Sequence, residues 1–185
     1  MTQTENTDDT TLTRAVEGDA EAFSQLYERY VNRIYSYIYY RTGNVNDAED
    51  LTARVFHRAL GHIQRYHDKG VPFSAWLYRI AHNLVANWHR DNSRKQEVAL
   101  EDNLQLPHRG ELPETALEHS QDTENLLRAI RTLSPERQQL VILKFVQRLS
   151  NAEIALIMGR SEGAIKSLYH RTLLALRDEI ENHFS

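Results

Sequence analysis

Apolar residues recur at steps of three and four along almost the whole chain, and no segment alternates with a period of two. That pattern predicts an all-helical protein. Met1 to about Asp8 is polar and reads as disordered, with a short helix following up to Gly18. Asp19 is placed to cap a long helix in which Phe23, Leu26, Tyr27, Tyr30, Val31, Ile34 and Ile38 share one face, and Gly43 and Asn44 stop it. Asn46 and Glu49 have capping-box spacing for a third helix, with Leu51, Val55 and Leu60 turned inward and Gly61 as its end. After a loop around Tyr66, Ser74 precedes a helix whose core stripe is Leu77, Ile80, Ala81, Leu84, Val85 and Trp88.

Beyond it Pro107, Gly110 and Pro113 interrupt any helix, and 96–113 reads as a flexible acidic linker between two small helical domains, 1–95 and 114–185. Thr115 to Arg131 can form a helix. Ser134 and Pro135 cap and start another, which partly buries Leu140, Val141, Leu143, Phe145 and Leu149. The stretch from Ser150 to Leu176 is the most informative in the chain. Ser150 with Glu153 makes a capping box, Gly159 supplies a left-handed stop, and Ser161 caps again at once. Ile165, Leu168, Tyr169, Leu173 and Leu176 then recur on one face of a second, longer helix, with small Ala155 at the crossing. Two helices joined by a tight glycine turn have helix-turn-helix spacing.

Charge sharpens that reading. The whole chain carries a net −4, yet Leu133 to Arg177 holds seven Lys/Arg against three Asp/Glu, a net of +4. Lys95 to Glu124 holds two basic and eight acidic residues, a net of −6. Counterion release depends on the local basic surface, so the acidic total does not exclude nucleic acid. Arg160, Lys166, Ser167, His170 and Arg171 occupy the outward face of the second helix and its entry, and all can donate hydrogen bonds. Such a helix fits the major groove, with cations on phosphates and the other groups near base edges. A helical hairpin with a solvated basic face has the same spacing.

The helix after Ser74 has a second polar face, where Trp76, Arg79, Asn83, Asn87, Arg90 and Arg94 follow at steps of three and four. Its amides can bond to exposed base edges and its arginines can hold a backbone, which is the chemistry of single-stranded nucleic acid. A half-exposed helix with Trp76 in the core gives the same pattern. Tyr27, Tyr30, Tyr35, Tyr37, Tyr39 and Tyr40 fit mixed core and half-exposed packing better than a stacking surface. Asp47, Glu49 and Asp50 suit the positive end of a helix dipole, and beside an exposed apolar residue they also suit a protein-docking patch.

Enzyme chemistry finds no foothold. There is no cysteine, no HExxH, no phosphate-binding glycine loop and no nucleophile elbow. His57, His62 and His67 are five apart, which does not align them on a helix as metal ligands. The polar, acidic N-terminus and the lack of a long apolar run predict a soluble cytoplasmic protein without membrane insertion.

Taken together, GDAEAF and LY between Gly18 and Tyr27, NDAEDLTARVFHRAL, PFSAWLYRIAHNLVANWHR, the acidic linker, LSPERQQLVILKF and the terminal helix-turn-helix resemble the extracytoplasmic-function (ECF) sigma factors of bacteria. The likeness covers nearly the whole chain and keeps the motif order. It implies a two-domain promoter-recognition subunit of RNA polymerase with no catalytic activity, cofactor, metal or small-molecule substrate of its own. By that resemblance the helix with Asp47, Asp50, Leu51 and Phe56 docks on the clamp of the polymerase's largest subunit. Asn83, Asn87 and the loop around Tyr66, with Trp76, Arg90 and Arg94, capture the melted minus-ten element with a base extruded from the stack. The terminal helix reads the minus-thirty-five element through Arg160, Lys166, Ser167, His170 and Arg171. Core polymerase, promoter DNA and a separate anti-sigma protein are the implied partners. The competing expectation is a stand-alone helix-turn-helix regulator that binds duplex operator DNA without polymerase.

Overall fold

The computed structural model describes residues 3–67, 71–101 and 129–184. Every regular element among them is a helix, as the apolar period predicts. The linker beyond Glu101 and most of the helix expected from Thr115 to Arg131 lie outside the described residues; 129–132 are helical.

Helix α1, Gln3–Val16, begins inside the stretch whose composition predicts disorder. An isolated polar segment this short would not hold a helix, but Ala15 and Thr11 are buried in the core, and the anchored end propagates the rest. Asp19 caps α2, Ala20–Thr42, as its position predicts: its carboxylate accepts from the Glu21 and Ala22 N–H groups at 2.9 and 3.2 Å. The Ala22 N–H, then the Arg14 guanidinium at 2.6 Å, hold the Asp19 carboxyl below its ordinary range. Gly43, at φ +67°, ends the helix.

Because the chain is already extended at the very next residue, the cap of α3, Val45–His62, is Asn44 rather than Asn46. Its Oδ1 accepts from the Asp47 N–H at 3.0 Å, and the expected Asn46–Glu49 box does not form. Gly61 does not end α3, which runs on into a 3₁₀ turn at Ile63–Arg65. With Leu51 and Val55 fixed in the core, the next i+4 positions on that face are Ala59 and Ile63. Leu60 therefore emerges 54% exposed, contrary to the pattern's prediction.

Helix α4, Phe73–Glu101, starts one residue before Ser74 and continues through the first residues of the expected linker. Phe73, Leu77, Tyr78, Ala81, Leu84 and Val85 are buried, while Ile80 and Trp88 are only partly so.

Helix α5, Pro135–Val141, follows Ser134, whose side chain makes no capping bond. It passes directly into a π turn at Ile142–Val146, closed by the Gln147 N–H donating to the Ile142 carbonyl at 3.0 Å. The surplus residue rotates the face: Ile142 and Leu143 are buried, and Phe145, expected inside, is 51% exposed. Arg148 takes up the left-handed conformation at φ +55° and reverses the chain.

Helices α6, Asn151–Met158, and α7, Glu162–Phe184, form the helix-turn-helix. The capping box is present in both directions, with the Ser150 N–H donating to Glu153 Oε2 at 2.7 Å and the Glu153 N–H to Ser150 Oγ at 3.2 Å. Gly159 turns at φ +64°, and Ser161 Oγ accepts from the Ala164 N–H at 3.2 Å. Ile154, Ala155, Ile165 and Leu168 are buried at the crossing. A continuous core joins the two helical groups, from Leu26, Ile38 and Leu77 on one side to Leu140, Leu143 and Ile154 on the other.

Candidate nucleic-acid interface

A helix reads a groove only if something holds it by its inner face and leaves the outer face clear. In α7 the inner face is Ile165, Leu168, Thr172 and Leu176, all buried, with the Thr172 hydroxyl returned to the Leu168 carbonyl at 2.7 Å. Arg160, Lys166, Ser167, His170 and Arg171 are exposed together on the other side. Lys166 Nζ rests 3.1 Å from Glu162 one turn earlier, Arg171 Nε donates to the Ser167 carbonyl at 3.4 Å, and Arg160 pairs with Glu136 of α5. These exposed pairs are worth little in water, so phosphates can displace them. Leu173, which the apolar pattern places on the inner face, is 39% exposed, and Phe145 meets Tyr169 with ring centroids 6.1 Å apart.

The polar face of α4 is likewise assembled, but not all of it is open. Asn83, Arg90 and Arg94 are exposed, and Asn87 is half-buried with its Oδ1 accepting from Arg90 Nη2 at 3.1 Å. Trp76 belongs to an aromatic group with Tyr66 and Phe73, at centroid separations of 5.2 and 5.5 Å. Tyr66 donates its hydroxyl to the Val71 carbonyl at 2.7 Å, which ties the loop before α4 back on itself. Arg79 lies on this face but turns to the carbonyls of Leu156 and Ile157 in α6.

On α3, Asp50 is exposed and Asp47 half-buried, whereas Leu51 and Phe56 are 1% and 5% exposed. Both apolar residues lie on the core face of the helix in the free chain. The apolar groups that this side does present are Leu60 and Tyr27, the latter 42% exposed and edge-on to Phe56 at 4.8 Å. Tyr27 was legible as an i+4 member of the α2 stripe, but its exposure was not.

His82, on α4, is a titratable group that packing shifts. Burial, and then the Arg41 charge, hold its imidazole below the ordinary 6.5, and its Nδ1 has no hydrogen-bond partner among the described residues. The folded chain resists the proton that the unfolded chain accepts, so the neutral imidazole's stability is present above about pH 6.5 and is lost as pH falls below it. Urea midpoints should thus fall more for wild type than for His82→Gln between about pH 7.5 and about pH 5.5. Equal losses in the two proteins would assign the acid sensitivity to other groups.

Comparisons with known proteins bear on this arrangement directly. The Sigma-70 region 2 family profile matches residues 26–95, and the Sigma-70 region 4 profile matches 123–176. The ECF RNA polymerase sigma factor SigW of Bacillus subtilis is 33% identical over 173 residues, 89% of this chain and 92% of SigW. BldN, an ECF RNA polymerase sigma factor of Streptomyces coelicolor, is 42% identical over 163 residues; the match covers 88% of this chain but 62% of BldN. Among solved structures, CnrH in complex with the cytosolic domain of CnrY shares the fold at a TM-score of 0.71 and 18% identity, covering 96% of this chain and 99% of CnrH. RpoE of Bartonella quintana, in complex with the anti-sigma factor NepR, does so at 0.67 and 22%, covering 88% and 98%. The chain is a protein of the Sigma-70 class, carrying regions 2 and 4 in that order. Within it, the chain belongs to the ECF RNA polymerase sigma factors.

No helix among the described residues is long and apolar enough to cross a membrane.

Proposed function

We propose that this chain is an alternative sigma factor whose labour is divided between its helical groups. The 1–95 group docks on core RNA polymerase through the acidic end of α3, with Asp47, Asp50, Tyr27 and Leu60, and captures the minus-ten strand on α4. Asn83 and Asn87 read bases there, Tyr66 and Trp76 support a base outside the stack, and Arg90 and Arg94 hold phosphates. The 114–185 group reads the minus-thirty-five duplex through Arg160, Lys166, Ser167, His170 and Arg171. The observation that carries the reading is the pair of donor-rich helical faces, one beside an aromatic loop and one on a helix-turn-helix, in a chain that matches both sigma regions in order.

Each face alone makes few contacts, and tethering both to polymerase multiplies them through effective concentration. CnrH and RpoE are each solved with a partner, the cytosolic domain of CnrY and the anti-sigma factor NepR, and a separate anti-sigma protein is the corresponding partner here. The test is co-purification with bacterial core polymerase followed by transcription from a promoter library. Defined start sites support the reading. Failure to bind core, with tight binding to duplex DNA alone, would replace it with a free-standing regulator.

A further inference from the structure

Helices α2 and α4 run in the same direction along one seam. Tyr30 meets Phe73 at a centroid separation of 5.7 Å and, further along both helices, Tyr37 meets Tyr78 at 5.4 Å. Another turn on each helix brings the chain to Arg41 and His82. The two therefore meet across the seam, and the Arg41 charge acts on the imidazole.

Arg41 is 4% exposed, and a guanidinium cannot shed its proton to escape burial. Its Nη1 donates to the Tyr37 hydroxyl at 3.1 Å, and Gln139 of α5 bonds to the same phenol. Burial pushes that phenol above its ordinary range, so it stays neutral and brings no countercharge. Arg41 Nε and His82 Nδ1 are both buried with no hydrogen-bond partner among the described residues. A second guanidinium comes close by: a Cβ at Gly43 would stand 2.9 Å from Arg131 Nη2. Among the described residues no carboxylate pairs with either arginine. Both lie by the C-terminal end of α2, whose dipole amounts to about half a negative charge, and two full positive charges outweigh it.

A buried charge is stabilised by a counterion and by donors that converge on it. Arg41 Nε–H is a donor, and Nδ1 of His82 becomes one when the imidazole is protonated. Water would satisfy either atom but brings no charge. A small monovalent anion accepts from both and neutralises Arg41. His82 as a whole residue is only half-buried, so the seam has an entrance from solvent.

We propose that Arg41 and His82 form a binding site for a small monovalent anion of the chloride class, where α2, α4 and α5 meet, and that anion and proton are taken up together. An anion beside the imidazole favours its protonated form, and by linkage the added proton favours the anion by the same factor. The charged and titratable groups around the seam are Arg41 and Tyr37 of α2, Tyr78 one turn before His82 on α4, and Arg131; α5 contributes the neutral Gln139. Burial pushes Tyr78 up to about 12, so both phenols stay neutral while His82 titrates. The site stands apart from the assignment of the DNA-reading faces.

The test uses the full chain without DNA or polymerase. The His82 imidazole is followed by NMR, its resonances assigned by their loss in His82→Gln, through pH titrations in sodium chloride and in sodium gluconate at equal ionic strength. General screening is then the same in both salts, and a difference reports a bound ion. His82 should titrate at a higher pH in chloride than in gluconate. Chloride titrations read on the same resonances should show binding about fivefold or more tighter at about pH 5.5 than at about pH 7.5. Arg41→Gln should abolish the difference between the salts; if that variant does not fold, the wild-type comparison decides alone. Identical His82 titrations in the two salts would overturn the proposal and leave water as the bridge between the two atoms. A chloride effect that survives in folded Arg41→Gln would put the ion elsewhere and overturn the site equally.

Discussion

Asn83→Ala is expected to leave association with core polymerase unchanged while lowering open-complex formation by about 10- to 100-fold, the loss expected for one amide–base contact. Asn83 is exposed on α4, and alanine is the better helix former, so the substitution should not destabilise the fold. It removes a donor and an acceptor from the place where a melted strand would lie. The neighbouring Asn87 is held by Arg90 and Tyr66 is tied to Val71, so the surroundings of the lost amide are fixed in advance and cannot easily replace it. Permanganate reactivity of unpaired thymines, measured alongside a polymerase pull-down, separates the two steps. Normal melting in this variant would remove Asn83 from the strand interface, and lost polymerase binding would place it in the docking surface instead.

Lys166→Ala and Arg171→Ala address the other end of the promoter. Each should weaken binding of the polymerase complex to the minus-thirty-five element, and where the contact is to phosphate each should reduce the slope of log K against log salt by about one unit. Lys166 is held by an exposed pair with Glu162, and that contact is cheap to give up for a phosphate. Arg171 is steadied by the Ser167 carbonyl and lies on the same open face. A loss confined to one base position, with the slope unchanged, would instead assign the side chain to a base edge. Unchanged affinity and slope in both variants would take α7 out of the DNA interface.

Legibility in the sequence followed the range of the interactions. Asp19, the Ser150–Glu153 box, Gly159 and Ser161 act within four residues of themselves, and each does what its spacing predicts. Asn44 was obscured because a cap depends on where the preceding helix stops: once Gly43 has ended α2, the first extended residue takes the role. Leu60 and Phe145 show that an apolar period is only as good as its phase. In α3 the core selects Ala59 and Ile63, and beyond α5 the π turn advances the register. The exposed donors of α7 were readable because a helix-turn-helix is a local unit. The engagement of Arg79, and the burial of Tyr78, Tyr37 and Arg41, come from contacts between groups far apart in the chain, for which the sequence carries no local signal.

The π turn at Ile142–Val146 also has a navigational effect. A surplus residue in a helix offsets everything after it by about 100° of rotation and about 1.5 Å of travel relative to a regular α-helix. In this chain it lies between the core contacts of Leu140 and the cap at Ser150. Removing one residue there would allow a smoother helix, but α6 and α7 would leave it on a different bearing. The compass heading of α7 thus depends on one peptide unit that a straighter helix would do without.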